Sequence, residues 1–423
     1  MARVTPEHDV DEPLRTLPDG TVKQLNPFTG TEVWTVPGRG NRPLTGGATP
    51  HFRLSPAAAG RHCAFCERRM LETPPEKVRR ILGPDGAWRD LRDVAAADLE
   101  ASVAEFRLIP NLFEIVSLDY WRQNHGFTLP VAELARRHAY LSTPAGRAHV
   151  LDLAGRHRPP ALVEAGDDAL VQDSLFGGFH DVVVARRHHI DGARCDDELA
   201  SASTLTPVEH EQYVDFTLVA ARDLYAANPE IRNVVIFQNW LRPAGASFDH
   251  LHKQLVGIDE YGRWREAELA RLRHDPDVFS RYGLDFARER DLVVAQTEHA
   301  VAFAGFGHRY PTLEVWTRRL DADLWNLTPA ELADVSALLH ACHAASGPAV
   351  PCNEEWHHRP RGLDIAMPLR VLLKWRISTP AGFEGGSRIY VNTIDPWTLR
   401  DRARAAMTAE RDAGRLDPRV RAV

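Results

Sequence analysis

The segment Asp249-His250-Leu251-His252-Lys253-Gln254 decides how this chain is read. It stands between two apolar runs, Val234-Val235-Ile236-Phe237 before it and Leu255-Val256 after it. That setting predicts a β-strand, in which successive side chains point to opposite faces. His250, His252 and Gln254 then lie in one row on one face. Each carries polar atoms whose burial without a partner costs about 1–3 kcal/mol. The row must therefore meet a metal, a ligand or water. Histidine is abundant here, 20 of 423 residues, and an isolated H-x-H pair more often marks a solvated strand face. The surrounding sequence decides the matter.

Composition sets the bounds. A chain of 423 residues can bury a large core and is expected to hold about two domains. Hydrophobic residues make up 44% and charged residues 26%, as in ordinary globular proteins. The net charge of −7 and the lack of a basic run argue against binding a nucleic-acid backbone. A nucleotide ligand needs only a few local cations and stays open. No apolar stretch is long enough to span a bilayer, and the first residues have no apolar leader, so the expected location is the cytoplasm. Five cysteines in a reducing compartment do not make a disulfide framework.

Outward from the histidine segment, the chain shows a repeated order. Residues 1–20 are polar and expected to fray. Asn26-Pro27-Phe28-Thr29-Gly30 is a turn, Glu32 to Val36 a short strand, and Pro37 to Pro43 a loop. Asp98 to Phe106 reads as a helix, and Arg107 to Phe113 as a strand running into a loop. Residues 118–176, rich in Pro, Gly and charge, read as an insertion with one helix from Val131 to Tyr140. Asp181 to Ala185 is a strand. Thr206-Pro207-Val208-Glu209 then has the form of a capping box, opening a helix to Ala227. A strand from Asn233 to Gln238 leads to the histidine segment. The second half repeats this order. Leu313 to Thr317 is a strand, Leu327-Thr328-Pro329-Ala330-Glu331 opens a helix to Ala345, and Val371-Leu372-Leu373-Lys374-Trp375 falls where the histidine strand would. The pattern predicts two α+β units of like design, with the polar row kept only in the first.

A metal site is expected beside that row. Cys63-Ala64-Phe65-Cys66 is a C-x-x-C in a loop, and no second such pair exists. Zinc would need two histidines to complete its shell. His250 is the natural third ligand. The fourth is open between His189 and His188, with His180 a weaker rival. A Cys2His2 set would be closed, hence structural rather than catalytic.

Together these residues resemble the galactose-1-phosphate uridylyltransferase family of the histidine-triad superfamily, over about residues 21–258 and again, more weakly, over 300–400. Asn26 to Gly30 with Arg39-Gly40-Asn41-Arg42-Pro43 is similar to the family's opening N-P-x-T-G and R-x-x-R-P. Phe237-Gln238-Asn239, Gly245-Ala246-Ser247 and His250-Leu251-His252-Lys253-Gln254 are similar to its F-x-N, G-x-S and H-x-H-x-Q. The resemblance implies an α+β fold of two tandem histidine-triad-like units, with antiparallel sheets and packed helices. The first unit would span 21–290 and the second, without the histidines, 291–423. It implies a Zn2+ held by Cys63, Cys66, His189 and His250. His252 would be the nucleophile that takes a nucleotidyl group from a nucleoside diphosphate sugar, and Gln254 would hydrogen-bond the phosphoryl oxygens. Arg39, Arg42, Asn111, Asn239, Gly245, Ser247 and Glu384 would bind substrate. The acceptor would be a sugar 1-phosphate, in a ping-pong cycle. A phosphorylase using inorganic phosphate is the alternative, and an inactive nucleotide-binding homologue a third reading. A homodimer with Arg39 and Arg42 reaching across is implied as well. Asn111-Leu112-Phe113-Glu114-Ile115 departs from the family's base-binding N-x-F-P-A, which leaves uracil and adenine both open. Tyr390 stands about where a sugar-binding glutamine would, so galactose is not assured as the sugar. Val371 and Leu373 replace the second-half histidines, so no second metal site is expected there.

Overall fold

A computed structural model describes residues 12–39, 51–157, 169 and 174–423. The fold is α+β. In chain order its strands are β1 (Leu14–Thr16), β2 (Val22–Leu25), β3 (Glu32–Thr35), β4 (Val78–Leu82), β5 (Trp88–Arg92), β6 (Phe106–Pro110), β7 (His180–Ala185) and β8 (Asn233–Trp240). Then come β9 (His252–Ile258), β10 (Val293–Gln296), β11 (Ala300–Ala304), β12 (Thr312–Thr317), β13 (Cys352–His357), β14 (Arg370–Trp375), β15 (Ile389–Asn392) and β16 (Arg421–Ala422). β1, β2, β3 and β15 form a small sheet. The other twelve form one sheet in the order β16-β10-β11-β12-β14-β13-β8-β9-β7-β6-β4-β5.

The two halves meet inside that sheet. β8 and β13 pair antiparallel, with Asn239 opposite Asn353. Outward from this junction, β8-β9-β7 on one side matches β13-β14-β12 on the other. The repeated strand-helix-strand-strand order thus gives one continuous sheet with mirrored connectivity. Each half has a long helix, Pro207–Ala227 and Pro329–Ser346, opened by the expected capping box. Thr206 Oγ1 accepts from the Glu209 N–H, and the Glu209 carboxylate accepts in turn from the Thr206 N–H. Both helices bury their residues in one core with Val183, Leu251, Leu255, Val371 and Leu373.

Several expectations are corrected by this arrangement. β9 opens at His252, so His250 belongs to the bend that leads into the strand. Laying Val371 to Trp375 on His250 to Gln254 sets Lys374 against Lys253, and this match is one residue out of register. Lys253 lies on the helix-covered face with Leu251 and Leu255, whereas Lys374 is on the opposite face from the buried Val371 and Leu373. A slip of one residue changes the face of every side chain. Asp98 to Phe106 is not a helix, apart from a single turn at Ala96–Asp98. The Arg79 guanidinium takes the carbonyls of Leu99 (2.7 Å) and Ser102 (3.0 Å), which a helix would have used for itself.

The N-terminal stretch expected to fray contributes β1, with Leu14 buried; its first residues lie outside the described region. The insertion holds three helices among the described residues, Leu118–His125, Val131–Ser142 and Pro144–His157. They build a small core of Leu141, Val150, Leu153, Leu175 and Phe176. No helix among the described residues is long and apolar enough to cross a membrane.

Candidate active site

The strand alternation that buries Leu251, Lys253 and Leu255 against the helices turns His252 and Gln254 to the other face. There they line a cavity of about 560 Å³ together with Asn111, His180, Ser247, Phe65 and Phe113. His252 is 5% exposed. Its Nδ1 lies 2.6 Å from the carbonyl oxygen of His250. A carbonyl only accepts, so Nδ1 carries the proton and Nε2 keeps its lone pair. Burial pushes the ring's pKa down to about 4, which keeps it neutral near pH 7. Phe65 packs against it with ring centroids 5.2 Å apart. The result is an uncharged imidazole with one basic nitrogen free of any partner among the described residues, in a hollow with room for a ligand.

Gln254 is held by its carbonyl end. Its Oε1 lies 3.0 Å from His180 Nε2 and 3.4 Å from Asn111 Nδ2. His180 is 1% exposed, and burial lowers its pKa to about 4. The rim of the cavity is formed partly by the insertion, whose helix Pro144–His157 brings Arg156 and His157 to the opening. Phe113, 75% exposed, sits edge-on to the His157 ring.

Beside the nucleophile strand, Cys63, Cys66, His188 and His250 converge. The two sulfurs are 3.9 Å apart, and the sulfur to Nδ1 distances run from 3.4 to 3.9 Å. A tetrahedral zinc with ordinary bond lengths asks for about 3.8 Å between sulfurs and about 3.6 Å between sulfur and nitrogen. His250 also presents the right tautomer. Its Nε2 donates to the Ala185 carbonyl at 2.7 Å, which leaves the Nδ1 lone pair toward the thiols. The residues therefore fit a tetrahedral metal ion.

The fourth member of this cluster is His188, not the expected His189. Beyond Ala185 the chain leaves the sheet, and adjacent side chains diverge. His188 turns to the sulfurs, while His189 stacks on the His188 ring with centroids 4.6 Å apart and meets the His62 ring edge-on at 4.5 Å. Its backbone is bridged to Leu199.

The other expected substrate residues are placed as follows. Asn111 and Ser247 line the cavity with His252 and Gln254. Asn239 does not; its Oδ1 accepts from Asn353 Nδ2 at 2.7 Å across the β8–β13 junction. Gly245, with φ at 92°, closes the turn that follows β8, a conformation L side chains rarely adopt. Glu384 caps its own short helix by accepting from the Ala381 N–H at 2.9 Å. Arg39 is exposed just after β3, and Arg42 lies outside the described residues. In the sequence, His180 stands out only as a weaker candidate for the metal. Strand periodicity could have found its place, because His180 and Val182 share a face of β7 and Val182 pairs with Gln254.

A family profile described as a domain of unknown function (DUF4921) matches residues 17–423. No curated protein matches the sequence at a significant level. Among solved structures, the chain is similar to an ADP-glucose phosphorylase from Arabidopsis thaliana with bound ADP-glucose, with a TM-score of 0.59 and 18% identity over 91% of this chain and 98% of that one. It is also similar to a galt-like protein from Arabidopsis thaliana, with a TM-score of 0.55 and 19% identity over 82% of this chain and 93% of that one. At these identities the likeness is one of fold.

Proposed function

We propose that this chain, which belongs to the DUF4921 family, is a nucleotidyltransferase acting on a nucleoside diphosphate sugar, as the site geometry above supports. The observation that carries this reading is the pairing of a neutral His252, whose Nε2 is the lone-pair nitrogen, with Gln254 in one cavity. The Nε2 lone pair attacks the α-phosphorus of the donor. A P–N bond forms and the bond from phosphorus to the bridging oxygen breaks, so the sugar leaves as its 1-phosphate. A phosphate oxygen of the acceptor then attacks the same phosphorus and frees Nε2. During both steps the Gln254 amide donates to the phosphoryl oxygens, and Asn111 and Ser247 supply further polar contacts at the cavity wall. Exposed Arg39 is available to donor phosphates across a homodimer.

Cys63, Cys66, His188 and His250 would hold a zinc ion in this reading. Bound there, the ion serves as a closed structural centre rather than as a reactant. Its effect on the chemistry runs through His250, whose carbonyl orients the nucleophile's ring.

Two acceptors are compatible with this first half-reaction. A sugar 1-phosphate makes the enzyme a transferase, and inorganic phosphate makes it a phosphorylase. The similarity over 98% of the length of an ADP-glucose phosphorylase supports keeping the second in view. The test is incubation with UDP-glucose or ADP-glucose carrying 32P in the α-phosphate. Acid-labile, alkali-stable label on wild type but not on His252→Gly supports the reading. The acceptor that discharges the label, phosphate or a sugar 1-phosphate, separates the two activities. Lack of label with both donors would overturn the reading for these donors and favour a binding protein.

A further inference from the structure

Behind Gln254 stands a buried histidine that neither the metal cluster nor the nucleophile uses. The ring of His180 is pinned by a backbone group, the Ile115 N–H, 3.1 Å from its Nδ1. An amide N–H can only donate. Nδ1 must therefore hold a lone pair, and the neutral ring carries its proton on Nε2. That Nε2–H lies 3.0 Å from Gln254 Oε1. Asn111 is fixed by the same logic. Its Oδ1 accepts from the Phe113 N–H at 2.8 Å, which turns its Nδ2 toward Gln254 Oε1 at 3.4 Å. Asn111 Nδ2 is also 3.0 Å from His180 Nε2. Both are donors, and the acceptor they share is the Gln254 oxygen.

Two backbone N–H groups thus determine, through two side chains, which way a third side chain faces. With its oxygen held at the back, Gln254 has only N–H donors left to offer the cavity. A carboxamide free to flip would present its oxygen half of the time, and an oxygen repels the anionic phosphoryl group.

We propose that His180 is a positioning residue for the transferred phosphoryl group: its Nε2–H locks the Gln254 carboxamide so that donors, never the acceptor, meet the phosphoryl oxygens at His252. This deepens the nucleotidyl-transfer reading and rests on it. Asn111 secures the same oxygen as the second donor.

The test uses the full chain with three readouts. First, long-range 1H–15N correlation of protein labelled with [15N]histidine reports the His180 tautomer, assigned by the signal missing from His180→Gln. A neutral ring protonated on Nε2 is expected, whether or not the enzyme turns over. Second, the rate of nucleotidyl-His252 formation is expected to fall about 100-fold in His180→Phe. It should recover most of that loss in His180→Gln, which restores an N–H donor at the same reach. Third, His180→Phe added to Gln254→Ala should cost nothing further, since the amide it positions is gone. A ring protonated on Nδ1, unimpaired labelling in His180→Phe, or full additivity with Gln254→Ala would overturn the positioning role. Failure of wild type to take label at all would instead overturn the transfer reading, and with it the phosphoryl target, while the tautomer still decides the hydrogen bond.

Discussion

Lys253 Nζ and Glu354 Oε1 form an ion pair of 2.8 Å with both side chains wholly buried. The pair joins β9 of the first half to β13 of the second, directly behind the row that carries His252 and Gln254. Glu354 also accepts from His343 Nε2 at 2.7 Å and from the Trp356 indole at 2.5 Å. Burial alone would raise the Glu354 pKa, but Lys253 and His343 hold it well below the usual carboxylate range. The second half of the chain therefore serves as the fixed back wall of the nucleophile strand.

Cutting one partner of this pair leaves a buried charge uncompensated. Glu354→Ala is expected to lose about 3–5 kcal/mol of stability, measured by urea unfolding. Replacing both partners, as Lys253→Met with Glu354→Met, should cost less than Glu354→Ala alone. Equal or greater loss in the double variant would contradict the role given to the pair.

The metal cluster predicts different fates for adjacent histidines. His188→Ala should lower bound zinc, read by elemental analysis, and lower Tm, as should Cys63→Ser. His189→Ala should keep the metal, because its ring stacks beside the cluster rather than joining it. Removing the metal with a chelator should lower Tm in wild type and leave the Tm of Cys63→Ser nearly unchanged.

Gln254→Ala removes the amide that donates to the phosphoryl group. About a 100-fold fall in kcat is expected, with a smaller change in KM, since charge on the phosphoryl oxygens grows toward the transition state. Equal losses in binding and turnover would place Gln254 in ground-state binding instead.

Acid should weaken the fold through Glu268. Burial opposes its ionisation, yet Arg370 and Arg265 together bring its pKa down from 4.5 to about 2. A depressed carboxylate contributes stability that is fully present above pH 4.5 and is lost as pH falls toward 2. Unfolding free energy of wild type should therefore decline across that window. Glu268→Gln should be less stable than wild type at pH 7 and should show a shallower decline.

Much of this architecture is legible in the residues themselves. The two Thr-Pro-x-Glu starts announce the long helices because the cap is local chemistry, complete within four residues. The alternation around His252 separates the cavity face from the helix face for the same reason. Long-range features are less visible. Whether His188 or His189 meets the thiols depends on how the chain turns after Ala185, which no periodicity encodes. Asp98 to Phe106 looks helical until Arg79, from a strand twenty residues earlier, takes its carbonyls. The union of both halves into one sheet rests on β8 meeting β13, more than a hundred residues apart. The link from Ile115 through His180 to Gln254 joins three segments and has no sequence motif of its own.

The most direct measurement is mass spectrometry of protein quenched at alkaline pH after mixing with a nucleoside diphosphate sugar, followed by proteolysis. The peptide containing His252 should gain the mass of one nucleoside monophosphate, and that mass should vanish when phosphate or a sugar 1-phosphate is added. A nucleotidyl group on any other residue, or turnover that persists in His252→Gly without added imidazole, would contradict nucleophilic catalysis by His252.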